Sequence, residues 1–438
     1  VAAARELEHL QDRLPPFPKE VAVATVEAAF GAPLGALFTS FDDAIAAASI
    51  AQVHPATVET ADGPRRVAVK ILRPGVERRF RRDLADMFFA ARLAERRLPE
   101  ARRLRLVDVV ETLARSVKME MDFRLEAAAA SEFAENTAED VDFRVPSVDW
   151  DRTAKDVLTI EWIDGVGLSD VAGLARAGHD LPLLGRIVIQ NFLRHAVRDG
   201  FFHADMHQGN LFIDREGRLV AVDFGIMGRL GPKERRFLAE ILYGFITRDY
   251  RRVAEVHFEA GYVPHVHRVE DFAQAIRAIG EPIHSRTADQ ISMAKLLSLL
   301  FEITALFDMR TRTELVMLQK TMVVVEGVAR SLDPRLDLWS TAEPVVEGWI
   351  RERLGPVGIA QDLGRSAASL GRLLAQTPDL LERAERIARD LEAASHRGVE
   401  LAPESIERLG RAQARRSRFG NLALWAIVAV LAAMLLIG

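Results

Sequence analysis

Apolar positions change their period several times along the chain, and each change marks an element. Between residues 1 and 40 they recur at helical spacing, most clearly over Val21–Phe30, with interruptions at Pro15, Pro16 and Pro18. Ile50–Val58 and Arg66–Leu72 are β-rich instead. The turn-like Thr60-Ala61-Asp62-Gly63-Pro64 between them predicts a hairpin ending in Val67-Ala68-Val69-Lys70. Helical spacing returns over Val76–Leu98 and over Leu106–Asn136. Val145–Val148 and Val157–Glu161 read as two strands leading into Trp162-Ile163-Asp164-Gly165. After Asp180 the pattern is helical to about Gly200. Two short strands follow, Leu211–Ile213 and Leu219–Val222, joined at Asp214-Arg215-Glu216-Gly217. Pro232 to about Leu354 is helical, and residues 361–410 are amphipathic, with Leu363, Leu370, Leu373, Leu374, Leu380, Leu381 and Ile387 at helical intervals.

The C-terminal pattern is of another kind. Leu422 to Ile437 contains no charge, and with its flanks reaches about 17 residues, the lower limit for a bilayer-spanning helix. Arg411, Arg415, Arg416 and Arg418 precede it as a positive flank of the sort found on the cytoplasmic side, and Trp425 would sit near the interface. The competing reading is a buried core helix, but such helices seldom lack polar residues on every face. A transmembrane helix is expected over 421–438. At the other end, Val1 to Leu14 reads as a helix already under way with no cap before it, so a preceding segment is expected.

Strands with one helical block, a short connector, then a helical mass interrupted by a small hairpin match the layout of an α+β, two-lobed, protein-kinase-like fold, and pattern alone leaves many other α+β folds open. The expected organisation is an N-terminal helical extension (1–40), an N-lobe with inserted helices (41–163) and a helical C-lobe (164–355). Amphipathic juxtamembrane helices (356–420) and the membrane helix complete it. Composition alters this little. Hydrophobic content of 49% and charged content of 28% are ordinary for a globular chain, and the net charge of −5 gives no sign of nucleic-acid binding. The chain has no cysteine, which removes disulfides, Cys-ligated zinc and a thiol nucleophile.

The chemistry concentrates in Phe202-His203-Ala204-Asp205-Met206-His207-Gln208-Gly209-Asn210, followed thirteen residues after Asn210 by Asp223-Phe224-Gly225. Kinase catalytic loops place an Asp five residues before an Asn, with a metal-binding Asp-Phe-Gly a short hairpin later. Asp205 would reach an acceptor hydroxyl, while Asn210 and Asp223 would hold magnesium, which prefers hard oxygen ligands. Gly225 would let the backbone turn sharply after the metal ligand. His203 and His207 could instead be a zinc pair four apart on a helix, although Gly209 and the following strand argue against one. Lys70 alone reads as a solvated strand-end charge; beside this loop its task is to hold the α- and β-phosphates, oriented by a helix glutamate. Candidates lie in Glu120-Met121-Asp122-Phe123-Arg124-Leu125-Glu126, where Asp122 and Glu126 would share a helix face with Glu120 turned away. Where a kinase has a glycine-rich turn stands Ile45-Ala46-Ala47-Ala48-Ser49-Ile50-Ala51-Gln52-Val53, whose alanines restrict the backbone.

Together these residues resemble the UbiB-like, or aarF-domain-containing, atypical kinases. The marks are Ala46–His54 (AAASIAQVH) before Val67–Lys70 (VAVK), Glu120–Glu126 (EMDFRLE), Phe201–Asn210 (FFHADMHQGN), Val222–Gly228 (VDFGIMG) and the C-terminal apolar helix. Arg248–Glu255 and Leu318–Thr321 also look similar to bacterial members, and the likeness runs from near residue 8 to the end. The resemblance implies an ATPase or atypical kinase that supports ubiquinone biosynthesis at the bacterial inner membrane, its kinase domain cytoplasmic. Its cofactors would be ATP or ADP and Mg2+. Its partners would be membrane lipids and quinone-biosynthesis enzymes or intermediates, with no nucleic acid. Lys70 and Glu126 would be the nucleotide-positioning pair and Asp205 the base, with Asn210 and Asp223 on the metal. Ile45–Val53 would lie over the nucleotide, backbone near Glu161–Ile163 would hinge the adenine, and Glu120 and Asp122 would form the family's ExD motif. The family's KxGQ motif is expected upstream of residue 1, and a second membrane helix beyond Gly438. Two alternatives stay open: a small-molecule phosphotransferase of the aminoglycoside-kinase type, and a nucleotide-gated scaffold or lipid-extracting chaperone.

Overall fold

The computed structural model describes residues 15–97, 106–283, 302–309 and 313–354. All of these belong to the first of the two units into which the chain divides, Val1–Gly355. The expected amphipathic and transmembrane helices, 356–438, lie outside the described residues.

The chain enters through α1 (Lys19–Phe30) and the short α2 (Leu34–Leu37), then lays down β1 (Ser40–Phe41), β2 (Ala46–Ala47), β3 (Ala51–Thr60) and β4 (Gly63–Leu72). The β3–β4 hairpin pairs in register from Ala51↔Leu72 to Thr60↔Gly63, where Gly63 takes φ +104°, a value only glycine adopts freely. α3 (Val76–Arg97), α4 (Leu106–Glu120) and α5 (Phe123–Asn136) form the inserted helical block. After β5 (Phe143–Arg144), β6 (Val157–Glu161) returns to pair with β4. The resulting antiparallel sheet has the order β1-β3-β4-β6, with β2 on β3.

Alternation along β4 sends successive side chains to opposite faces. Val67, Val69 and Ile71 are fully buried in a cluster with Ala22 and Val26 of α1. α1 is therefore part of the N-lobe core rather than an appendage to it. Leu72 lies in a separate cluster with Val117, Phe123, Ala127 and Leu158. Lys70, between Val69 and Ile71, is turned towards α5.

The helix expected over Leu106–Asn136 is two helices. At Asp122 the backbone is extended (φ −124°, ψ 93°), and Oδ1 accepts from the Arg124 amide at 3.2 Å as an N-cap of α5. The Phe123 amide donates to Lys155 O, which fixes the break to the sheet. Asp122 thus caps a helix and does not share a helical face with Glu126.

The second lobe begins with β7 (Gly165–Gly167), α6 (Val171–Arg176) and α7 (Leu181–Arg194), the last ending in a π-turn over His195–Asp199. β8 (Phe201–His203), β9 (Leu211–Asp214), β10 (Leu219–Ala221) and β11 (Met227–Arg229) follow. They build a sheet of order β5-β10-β9-β7 and a two-stranded β11-β8 ribbon. Among the described residues α8 (Pro232–Ile246), α9 (Tyr250–Glu259), α10 (Val269–Ile283), α11 (Thr313–Leu332) and α12 (Leu338–Leu354) follow. One core unites Val188, Ile189 and Phe192 of α7 with Phe202, Leu211 and Phe224 and with Val325 and Ala329 of α11. Burying each large apolar side chain is worth about 1.5–3 kcal/mol, so the small strands are held mainly by this packing. Among the described residues no helix is long and apolar enough to cross a membrane.

Candidate active site

Lys70 is the hub. Its Nζ donates to Glu126 Oε1 at 2.8 Å and Oε2 at 3.0 Å, and lies 3.1 Å from Asp223 Oδ2. Burial works against the ammonium, but Glu126 and Asp223 together hold its pKa above the ordinary lysine value. Burial also works to raise the Asp223 pKa; Lys70 and the Gly225 amide outweigh it and keep the carboxyl below its usual range. Three elements far apart in sequence therefore meet at one cation: β4, the first turn of α5, and the segment after β10.

The catalytic-loop residues are tied to that segment by two short links. His203 Nδ1 accepts from the Asp205 amide at 3.1 Å, and Nε2 donates to Val222 O at 3.2 Å. Both ring nitrogens are committed, and His203 lies in a strand, so the alternative of a His203–His207 zinc pair on a helix does not hold. The Val222 amide donates to Asn210 O at 2.8 Å, and Asn210 Nδ2 donates to Asp205 O at 3.1 Å. This leaves the carboxamide oxygen as the polar end of Asn210 available to a ligand. Pairing of Met227 with His203 folds β11 back onto β8 and closes the loop around Asp223. Asp205 remains partly exposed, with His207 Nε2 at 3.8 Å from its Oδ2.

The sharp turn falls two positions earlier than expected from glycine content. Asp223 itself takes φ +63°, whereas Gly225 has no positive φ and instead donates its amide to Asp223 Oδ1 at 3.3 Å. A non-glycine residue in that region is uncommon and costs of order 1 kcal/mol or more. Phe224 supports it, buried against Phe133 of α5 and His203 with ring centroids at 5.9 Å and 5.6 Å.

The alanine-rich segment is a hairpin. Ala46 and Ala47 pair with Val53 and Gln52, and the Ala48 amide closes the turn on Ala51 O at 2.8 Å. Val53 in turn pairs with Lys70, placing the hairpin one strand from the hub. The Gln52 side chain is engaged within the N-lobe: it accepts from the Phe17 amide at 2.9 Å, donates to Phe17 O at 3.3 Å and reaches His54 at 2.8 Å. Arg73 bridges Ala48 O at 2.9 Å and Pro15 O at 3.0 Å. Around the expected hinge, the amides of Glu161 and Trp162 already donate to Ser147 O and Arg66 O. The Glu161 carboxylate accepts from Arg144 and Ser147. Its side chain is a structural post, while Ile163 lies in the connection between β6 and β7.

Glu120, at the end of α4, lines a cavity of about 530 Å³ with Met119, Leu125, Phe224, Met227 and Met317. Desolvation and the nearby Asp223 charge raise its pKa against the pull of Lys70. Sequence reasoning did not single out Met119 or Met317, nor the role of Thr321, whose fully buried Oγ1 lies 3.0 Å from Ala204 O. Thr321 and the Gln208–Ser331 hydrogen bond at 2.7 Å fasten the catalytic loop to α11.

A Lys–Glu pair across a β-strand and helix, meeting an Asp that follows a catalytic-loop Asn, defines a protein-kinase-like site on a two-lobed α+β fold. Residues 9–257 match the ABC1 atypical kinase-like domain, and residues 276–337 match the UbiB helical domain. The chain belongs to the ABC1 atypical kinase-like family. It is 42% identical over 382 residues to a Probable protein kinase UbiB of Marinobacter nauticus, covering 86% of this chain and 69% of that protein. The corresponding protein of Azotobacter vinelandii is 41% identical over 392 residues, covering 88% and 72%. A solved Mycobacterium tuberculosis structure, a complex with erythromycin, matches with a TM-score of 0.60 and 26% identity, covering 76% of this chain and 84% of that one.

Proposed function

We propose that this chain is a membrane-anchored atypical kinase or ATPase that binds Mg-ATP or Mg-ADP and supports ubiquinone biosynthesis at the bacterial inner membrane. The observation that carries the reading is Lys70, gripped by Glu126 and in contact with Asp223, one hydrogen-bonded step from Asn210. In this reading Lys70 holds the α- and β-phosphates and Glu126 fixes its direction. Asp205 takes the proton of an acceptor hydroxyl. The Asn210 carboxamide oxygen and the Asp223 carboxylate are hard oxygen donors and fit magnesium, which keeps waters for its remaining positions. When bound it would supply charge neutralisation on the phosphates. The alanine hairpin covers the nucleotide, and restricted alanine backbone wraps a triphosphate less closely than glycine does.

Membrane anchoring is supported by the charge-free run 422–437 and its arginine flank. Membrane lipids and quinone-biosynthesis enzymes or intermediates are the partners this implies. The test is magnesium-dependent ADP release by purified protein with anionic lipid, comparing wild type with Asp223→Asn. A loss on the order of 100-fold is expected for removing a charge of this kind; equal rates would remove the enzyme reading.

A further inference from the structure

The outward face of α3 has a composition that its fold does not require. The helix buries Val76 and Ala91 and packs along α4. At about 100° per residue, Arg78, Arg82, Ala85, Phe89, Arg92 and Leu93 fall in one arc of roughly 100° on the opposite side. All of these are exposed, Phe89 at 66% and Leu93 at 41%. No acid falls within the arc; Asp83 and Asp86 lie outside it, and Glu77 is paired with Lys155. Neither Arg78 nor Arg82 has an ion-pair partner among the described residues, and the Arg92 guanidinium lies over the Phe88 ring at 5.7 Å. A ring exposed to two-thirds of its surface, with a leucine on the next turn and arginines above and below, is unfavourable in water.

We infer that the outer face of α3 docks on an anionic bilayer surface, with Phe89 and Leu93 entering the headgroup boundary and Arg78, Arg82 and Arg92 meeting lipid phosphates. Charge complementarity selects this occupant. A helix lying in the interface combines an apolar insertion with flanking Lys or Arg, and each basic residue near an anionic surface contributes about 1 kcal/mol. Long arginine stems also let the guanidinium stay in the phosphate layer while the helix sinks. The 22 residues of α3 give it a length of about 33 Å, enough to present the whole stripe to a flat surface. This deepens the membrane reading proposed above but rests on α3 alone.

The absence of cysteine makes the test direct. In the full chain, Phe89→Cys is labelled with the environment-sensitive fluorophore NBD, and Val266→Cys, exposed at 82%, serves as the reference position. Each is mixed with vesicles of phosphatidylglycerol and phosphatidylethanolamine, or of phosphatidylcholine alone, and co-flotation is read in parallel. The label at 89 is expected to shift to the blue and brighten roughly two-fold or more with anionic vesicles only, while 266 stays water-like. Arg78→Glu or Arg82→Glu should weaken the response about 5-fold or more each. A water-like label at 89 on chain that co-floats overturns the inference and leaves membrane anchoring standing. Chain that co-floats with neither vesicle defeats both. An equal response with phosphatidylcholine, or a concentration-dependent response without vesicles, overturns anionic lipid as the occupant, the latter in favour of self-association.

Discussion

Asp140 and Asp223 are both carboxylates gripped by cations, and the difference between them separates scaffold from site. Asp140 is 4% exposed and saturated: Arg198 donates to Oδ1 at 2.6 Å and Oδ2 at 3.0 Å, and His195 Nε2 donates at 3.1 Å. Desolvation works against that charge, but His195 and Arg198 hold its pKa well below the usual carboxylate range. Asp223 is 48% exposed, touches one cation, and stands on a backbone with φ +63°. Asp140 has spent its hydrogen-bonding capacity on other parts of the fold. Asp223 is held in position with capacity left over, which is the property a ligand site needs.

The same chemical change at the two positions should therefore have opposite readouts. Asp140→Asn is expected to have the largest effect on the fold, about 3 kcal/mol of stability by denaturant titration, because buried His195 loses a charged acceptor and the Arg198 guanidinium is left with Asp199 alone as a carboxylate partner among the described residues. Nucleotide affinity should be unchanged. Asp223→Asn should show the reverse: a denaturation midpoint shifted by less than about 1 kcal/mol, since the group is half exposed and Asn tolerates positive φ. Its activity loss of order 100-fold corresponds to about 2.7 kcal/mol. Comparable destabilisation in both variants would erase the distinction. Thr321→Val sharpens it further by testing a buried support rather than a ligand. Losing the hydroxyl beside Ala204 O should cost about 1–2 kcal/mol and lower kcat more than it raises the nucleotide KM, read by steady-state kinetics.

The gentlest effect is that of pH. Desolvation lowers the pKa of His195 against the pull of Asp140, and burial lowers those of His54, His203 and His257. Each folded pKa lies below the ordinary 6.5, so the folded chain binds protons less readily than the unfolded one. The stability they contribute is complete above 6.5 and declines as pH falls towards the folded values. Denaturation midpoints measured from pH 7.5 down to about 5 should fall steadily. A flat profile would mean that these imidazoles bind protons equally well in the folded and unfolded chain.

Much of the site was legible because its signals are local. The β-rich run Val67-Ala68-Val69-Lys70 gave the strand, and the structure adds the face on which Lys70 stands. The spacing of Asp205, Asn210 and Asp223 gave a loop and returning hairpin that hydrogen bonds through Val222 now join. What failed depended on competition between local preferences. A helical run across Asp122 looked continuous because the pattern of apolar residues did not break, yet the side chain of Asp122 offered its own cap to the Arg124 amide. The sharp turn was expected at Gly225, because composition points to glycine, whereas it falls two residues earlier at Asp223, which ion pairing pins. Gln52 and Glu161 sat in the right segments, but their side chains serve Phe17 and Arg144. Thr321 and Met317 reach the site from over a hundred residues away, a distance at which no spacing rule operates.

Arg73 holds Ala48 O with one nitrogen and Pro15 O with another, while Gln52 clasps both backbone groups of Phe17. The alanine hairpin and the incoming chain thus hang from the same two side chains. Displacing Pro15 or Phe17 would break the hydrogen bonds that tie them to the turn at Ala48 and to Gln52. The leash that brings the chain into the N-lobe is also the handle of the flap.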